Sequence, residues 1–239
     1  MSQKVLSQID ADGNATVMLN RPDVHNAFDP EMVEALTAAL KKLESNDKVR
    51  AIVLLGAGKS FCAGADIEHM KQSAKASREQ NVANARATSR MLQTLHQLEK
   101  PTIACVRGAV RGGGVGLVAA CDIAVAERGA TFRLSEVKLG IIPVMISPYV
   151  ISAIGPRYAH RYMLSGEEFD AAVIEAIEAS TFLSPSAGGP RITVAQYTFP
   201  PQREEPPATP AAPPAGGAAA PARIEGSAPG LAASGPDSP

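Results

Sequence analysis

Residues 101–126 read PTIACVRGAVRGGGVGLVAACDIAVA. Pro101 introduces the run Thr102-Ile103-Ala104-Cys105-Val106, a short apolar stretch that predicts a strand. The turn Arg111-Gly112-Gly113-Gly114 then opens the wholly apolar run VGLVAA, which predicts a short helix. A second strand is expected from Asp122 to Ala126. Strand, glycine turn, helix and strand in so short a span predict an α/β fold with mostly parallel pairing and right-handed crossovers.

The alternation extends in both directions. ATVMLN at 15–20 predicts a strand, broken by Arg21-Pro22-Asp23. Asp29-Pro30 supplies an N-cap and a first-turn proline, and Val33, Leu36, Leu40 and Leu43 follow at helical spacing. AIVLL at 51–55 predicts a buried strand, and the turn KSFCAGAD, Lys59 to Asp66, follows it. A long helix is expected over 79–98, with Met91, Leu92, Leu95 and Leu98 inward. Thr131 to Leu134 predicts another strand, Ser147-Pro148 another helix start, and 156–179 a further helix.

Composition separates this part from the rest. The chain has 239 residues and a formal net charge of -1, which argues against nucleic-acid and anionic-membrane partners. Of 19 prolines, six fall in 1–183. Residues 201–239 hold 10 Pro, 11 Ala and 5 Gly, too little apolar surface to offset ordering entropy, so a disordered Pro/Ala/Gly-rich tail is expected there. Cys62, Cys105 and Cys121 make an odd set that fits a reducing, cytoplasmic setting. No apolar targeting segment opens the chain, and no apolar run is long enough to span a membrane.

Two turns stand where α/β folds place ligands, beyond the carboxyl ends of strands. Gly112-Gly113-Gly114 at a helix start offers free N–H groups to a carbonyl oxygen or an oxyanion. Cys62-Ala63-Gly64-Ala65-Asp66 is positioned to offer a second. A tight structural turn accounts for either one alone. The spacing matches neither nucleotide-phosphate fingerprint. Glu136, in LSEVKLG, reads either as an exposed carboxylate paired with Lys138 or as a partly desolvated acid/base. His25, His69, His96 and His160 lack ligand spacing, so no metal is expected. Cys62 reads as a packed thiol and Asp122 as a structural residue at a strand start.

Taken together, the blocks LNRPDVHNAF (19–28), FCAGAD (61–66), PTIACVRG (101–108), GGGVGLVAACDIAVA (112–126) and FRLSEVKLGIIP (132–143) resemble the crotonase superfamily, the enoyl-CoA hydratases and isomerases. The resemblance runs from about Val17 to Ala172. It implies a spiral of ββα units, an acyl-CoA thioester substrate and no metal or redox cofactor. It implies that the amides of Ala63 and Gly113 hold the thioester carbonyl, and that Glu136 is an acid/base. It places Asn26, Ala27, Phe28, Ala65 and Asp66 along the CoA arm. ISPYVISAIG (146–155) and RYMLSGEEFDAA (161–172) resemble the hydratases of branched acyl-CoAs, most of all those of the methylglutaconyl type in leucine catabolism, with the isohexenylglutaconyl type a close second.

Two departures qualify this. Where typical hydratases carry a first glutamate, two residues after the glycine turn, this chain has Gly116. After Ala172 the family's C-terminal helical part, which covers the site and builds a trimer or hexamer, is expected to be missing or replaced. Residues 1–172 are therefore read as the core, 173–200 as a non-family segment resembling a frameshifted or fused sequence, and 201–239 as the tail. Three activities follow as alternatives: hydration of a 2-enoyl-CoA such as 3-methylglutaconyl-CoA, isomerisation or another reaction of the superfamily, and thioester binding without turnover.

Overall fold

Alternating side chains put Ala15, Val17 and Leu19 on one face of a strand and leave Thr16 and Met18 on the other. That strand anchors the larger of two sheets in this computed structural model, which describes residues 3–181, 191 and 192, with side chains to 177. Its strands are β1 (Val5–Ile9), β2 (Asn14–Leu19), β3 (Ala51–Gly56), β4 (Thr102–Val106), β6 (Ile123–Ala126) and β9 (Arg191–Ile192), in that order. The smaller sheet has the order β5 (Ala109–Arg111), β7 (Thr131–Arg133), β8 (Glu168–Asp170). Pairing is parallel except for β1 with β2 and β7 with β8.

The helices are α1 (Pro30–Glu44), α2 (Ile67–Ser73), α3 (Arg78–His96), α4 (Gly113–Ala120), α5 (Ser147–Ser165) and α6 (Ala171–Thr181). A repeating unit is visible in their order. β4, β5 and α4 form one, and β6, β7 and α5 the next: a strand in the large sheet, a short one in the small sheet, then a helix. Parallel bridges Cys62↔Val110 and Phe28↔Ala65 carry the small sheet on toward the earlier units. The expected spiral of ββα units is this arrangement.

Side chains explain the packing. Val33, Leu36, Leu40 and Leu43 of α1 and Met91, Leu92 and Leu95 of α3 are buried in one core with Ile52, Leu54, Ala104 and Val106 of the large sheet. Asp29 caps α1, its carboxylate accepting from the Met32 amide at 2.9 Å. Asp122 does the structural work expected of it, accepting from both the amide and the hydroxyl of Thr102.

Five strands and helices, β1, β5, β8, β9 and α2, have no counterpart among the elements the sequence predicts. The single helix expected over 156–179 is divided: α5 ends at Ser165 and is capped by Gly166 in a left-handed conformation (φ 57°), β8 follows, and α6 starts at Ala171. The boundary expected at 172 falls inside α6. Residues 201–239, where a disordered tail is expected, lie outside the described residues, as does most of 182–200.

Candidate active site

The small sheet ends at the candidate site. β5 runs into Gly112, whose backbone (φ 47°, ψ -119°) is open to glycine and strained for other residues, and α4 departs from Gly113. The Gly112 amide donates to the Arg133 carbonyl at 2.8 Å, tying the turn to the end of β7. Among the described residues the Gly113 amide has no hydrogen-bond partner. It stands at the N-terminus of a helix, where orphan donors and the helix dipole favour negative charge.

The turn after β3 lies against this helix start. A Cβ on Gly64 would meet the Arg111 carbonyl oxygen at 2.7 Å and the Gly113 nitrogen at 3.1 Å. The Phe28 ring closes the other side, 2.4 Å from where a Cβ of Gly113 would stand. Within this turn the amides divide clearly. Ala63, expected to be the donor, already donates to the His25 carbonyl at 2.9 Å and is not available. Asp66 donates to the Phe28 carbonyl at 3.1 Å. Ala65 is exposed, and its amide has no partner among the described residues. Ala65 and Gly113 thus each bring an unbonded amide to the juncture.

Glu136 approaches from the third side, on a turn of 3-10 helix (Glu136–Leu139) directly after β7. Its Oε1 lies 3.0 Å from the place a Cβ of Gly112 would take. It forms no ion pair among the described residues, so the pairing with Lys138 is absent, and its Oε2 is buried without a partner. Burial pushes its carboxyl above the usual glutamate range, against a weaker opposing bond from its own amide. Such a group holds its proton to higher pH than a solvated carboxylate, as suits a group that must both take and give a proton.

The residues expected along a CoA arm are committed elsewhere. Asn26 is fully buried: its Nδ2 donates to the Ala57 and Ser60 carbonyls, both at 2.8 Å, and its Oδ1 accepts from the Arg21 amide at 2.9 Å. Ala27 is buried, its amide bound to the Val24 carbonyl and its own carbonyl to the Arg21 guanidinium. Asp66 caps α2 and pairs with Arg21 at 2.9 Å. Burial works to raise its carboxyl, but Arg21 and the amides of His69 and Glu68 outweigh burial and hold it below the usual range. These three residues shape the loop; none presents a free polar group to a ligand.

Position 116 decides the remaining face. A Cβ there would stand 2.2 Å from Cγ2 of Ile146, so an isoleucine fills the space a side chain at 116 would need. This partner was not foreseen, because only the fold brings the start of α5 onto α4. Cys62 is fully buried, its thiol pushed up to about 12 by desolvation, which fits packing rather than nucleophilic chemistry. Among the described residues no cluster of three His, Cys, Asp or Glu side chains is placed to hold a metal, and no helix is long and apolar enough to cross a membrane.

A family model described as enoyl-CoA hydratase/isomerase matches residues 11–179. The chain is 33% identical over 178 residues to a Thermus thermophilus protein carrying an enoyl-CoA hydratase name, covering 74% of this chain and 70% of that protein. It is 35% identical over 167 residues to a 1,2-epoxyphenylacetyl-CoA isomerase of Escherichia coli, covering 70% and 62%. The crystal structure of an enoyl-CoA hydratase from Shewanella pealeana superposes with a TM-score of 0.72 at 39% identity, covering 80% of this chain and 68% of that one. The chain spans 50–70% of the length of the curated relatives it matches, less than two thirds for most of them.

Proposed function

The chain belongs to the enoyl-CoA hydratase/isomerase family, and from that premise we propose that it adds water to a 2-enoyl-CoA thioester. The observation that carries this reading is the placement of a half-buried Glu136 carboxyl, its Oε2 without a partner, at a helix start beside two turns with unbonded amides, Ala65 and Gly113. The two amides receive the thioester oxygen as it becomes an enolate. Donors fixed before the reaction are worth about 10²–10³-fold each in rate. Glu136 takes a proton from water as the oxygen bonds to C3, and the same proton passes to C2 as the enolate collapses. One carboxylate thus acts first as base and then as acid.

The substrate proposed is 3-methylglutaconyl-CoA, in branched-chain catabolism. Support comes from the branched-acyl blocks at 146–155 and 161–172, and from Gly116. With glycine at 116, α4 offers no second carboxylate beside Glu136, and an acyl group carrying its own carboxylate meets less repulsion there. No metal or redox cofactor enters this chemistry. A homotrimeric or hexameric assembly in the cytoplasm belongs to the same proposal. Loss of enoyl absorbance across a panel of 2-enoyl-CoA thioesters tests it, with acyl-CoA binding measured separately. Hydration of 3-methylglutaconyl-CoA is expected; binding without turnover would replace the reading with that of a thioester-binding protein.

The single carboxylate also suits a second reaction. Glu136 could remove a proton from one carbon of the acyl chain and return it to another, shifting the double bond with no water added. Formation of the 3-enoyl isomer without the 3-hydroxy product would favour it.

A further inference from the structure

Between Ser135 and Ile146 the chain is thinly held. Residues 137–142, 144 and 145 are exposed, and Ile146 is the only buried residue of the segment. Its backbone bonds are local: Ile141 donates to the Glu136 carbonyl, Gly140 to that of Val137, Val144 to that of Ile142 and Ile146 to that of Pro143. The two ends nevertheless rest on one helix. Glu136 lies over Gly112, the residue that caps the start of α4, and Ile146 over Gly116 in the first turn of that helix. Every side chain α4 could offer here is apolar or absent, so no α4 side chain fixes the Glu136 carboxyl.

We propose that Ile146, seated in the notch over Gly116, is a positioning residue for Glu136: it clamps the far end of the strap 136–146 and so sets where the carboxyl at its near end stands. Gly116 belongs to the device, because any side chain there would expel the isoleucine. The inference rests on the reading of Glu136 as the acid/base. A misplaced catalytic group costs rate although its own chemistry is intact.

The test uses the full chain, kinetics on the enoyl-CoA thioester the parent hydrates, and amide hydrogen exchange read across 136–146. Ile146→Ala is expected to lower kcat about 10–100-fold with KM changed by less than about threefold, because no contact with the CoA arm is lost. Exchange at Gly140 and Ile141 rises while that of β2, β3 and β4 does not. Ile146→Val, which keeps Cγ2, retains most of kcat. Gly116→Ala lowers kcat as well, and the loss does not add to that of Ile146→Ala, since both release one contact. Should Ile146→Ala fail to fold, Gly116→Ala carries the test, because it displaces the same side chain without deleting it. Unchanged kcat in the folded variant, unchanged exchange at 140–141, or additive losses would each overturn the proposal. A parent that hydrates no enoyl thioester would overturn the functional reading instead, and the exchange data alone would then decide whether Ile146 holds the strap.

Discussion

Glu136 is held in a setting that favours its neutral form. Its ordinary value is 4.5, and burial raises it. A carboxyl raised on folding contributes stability while protonated, and that contribution is lost as pH rises through the folded value. Glu136→Gln cannot ionise, so it is expected to melt above the parent at neutral pH and to lose that advantage below pH 4.5. Its hydration rate is expected to fall about 10²–10⁴-fold. Calorimetry at both pH values, with a rate assay, checks the pair of effects; full activity in Glu136→Gln would remove the acid/base role. Asn26 makes the opposite case. Removing its amide in Asn26→Ala strands the Ala57 and Ser60 carbonyls and the Arg21 amide, and leaves a left-handed residue (φ 56°) without its polar side chain. A loss of more than about 2 kcal/mol in urea unfolding is expected.

At the scale of elements, α2 hangs on its cap. It has seven residues and no buried side chain, so little but Asp66, accepting from the Glu68 and His69 amides, favours it over coil. Asp66→Ala is expected to cost about 0.5–2 kcal/mol at neutral pH. Because the folded carboxyl lies below its ordinary value of 3.8, the contribution is present above that value and lost as pH falls through the lower folded one. Urea titrations at neutral pH and near pH 3 check it; an equal cost at both would disconnect the effect from the charge. The same facts explain why α2 was not legible, since periodicity needs a buried face. β1 exposes four of its five residues and is held by backbone pairing with β2, while β8 has three residues and turns only Phe169 inward. α1, α3, β2, β3 and β4 were legible because each buries a periodic face. At the site, the family resemblance points to Glu136 and Gly113, and the structure brings both to the start of α4. The choice between Ala63 and Ala65 was not legible in the sequence, since it turns on the His25 carbonyl, which only the fold brings to Ala63.

At the scale of the whole molecule, exposed apolar side chains among the described residues are distributed unevenly. Leu139 (60% exposed), Ile142 (76%) and Val144 (62%) crowd the strap after Glu136, with Val137, Ile141 and Met145 beside them. Met18, Val53, Leu55, Ile103 and Cys105 leave the second face of the large sheet only half-buried. Contiguous apolar surface of this kind favours association in water. The chain is therefore expected to self-associate as its concentration rises, by sedimentation velocity. Ile142→Lys with Val144→Lys is expected to weaken that association, because two like charges enter the patch. Both side chains are exposed, so the melting temperature should hardly move, as surface changes of this kind usually stay within about 0.5 kcal/mol. Association unchanged by the two lysines would shift the adhesive surface to the half-buried face of the sheet. There Ile103→Lys would become the variant that disperses the chain, at a measurable cost in stability.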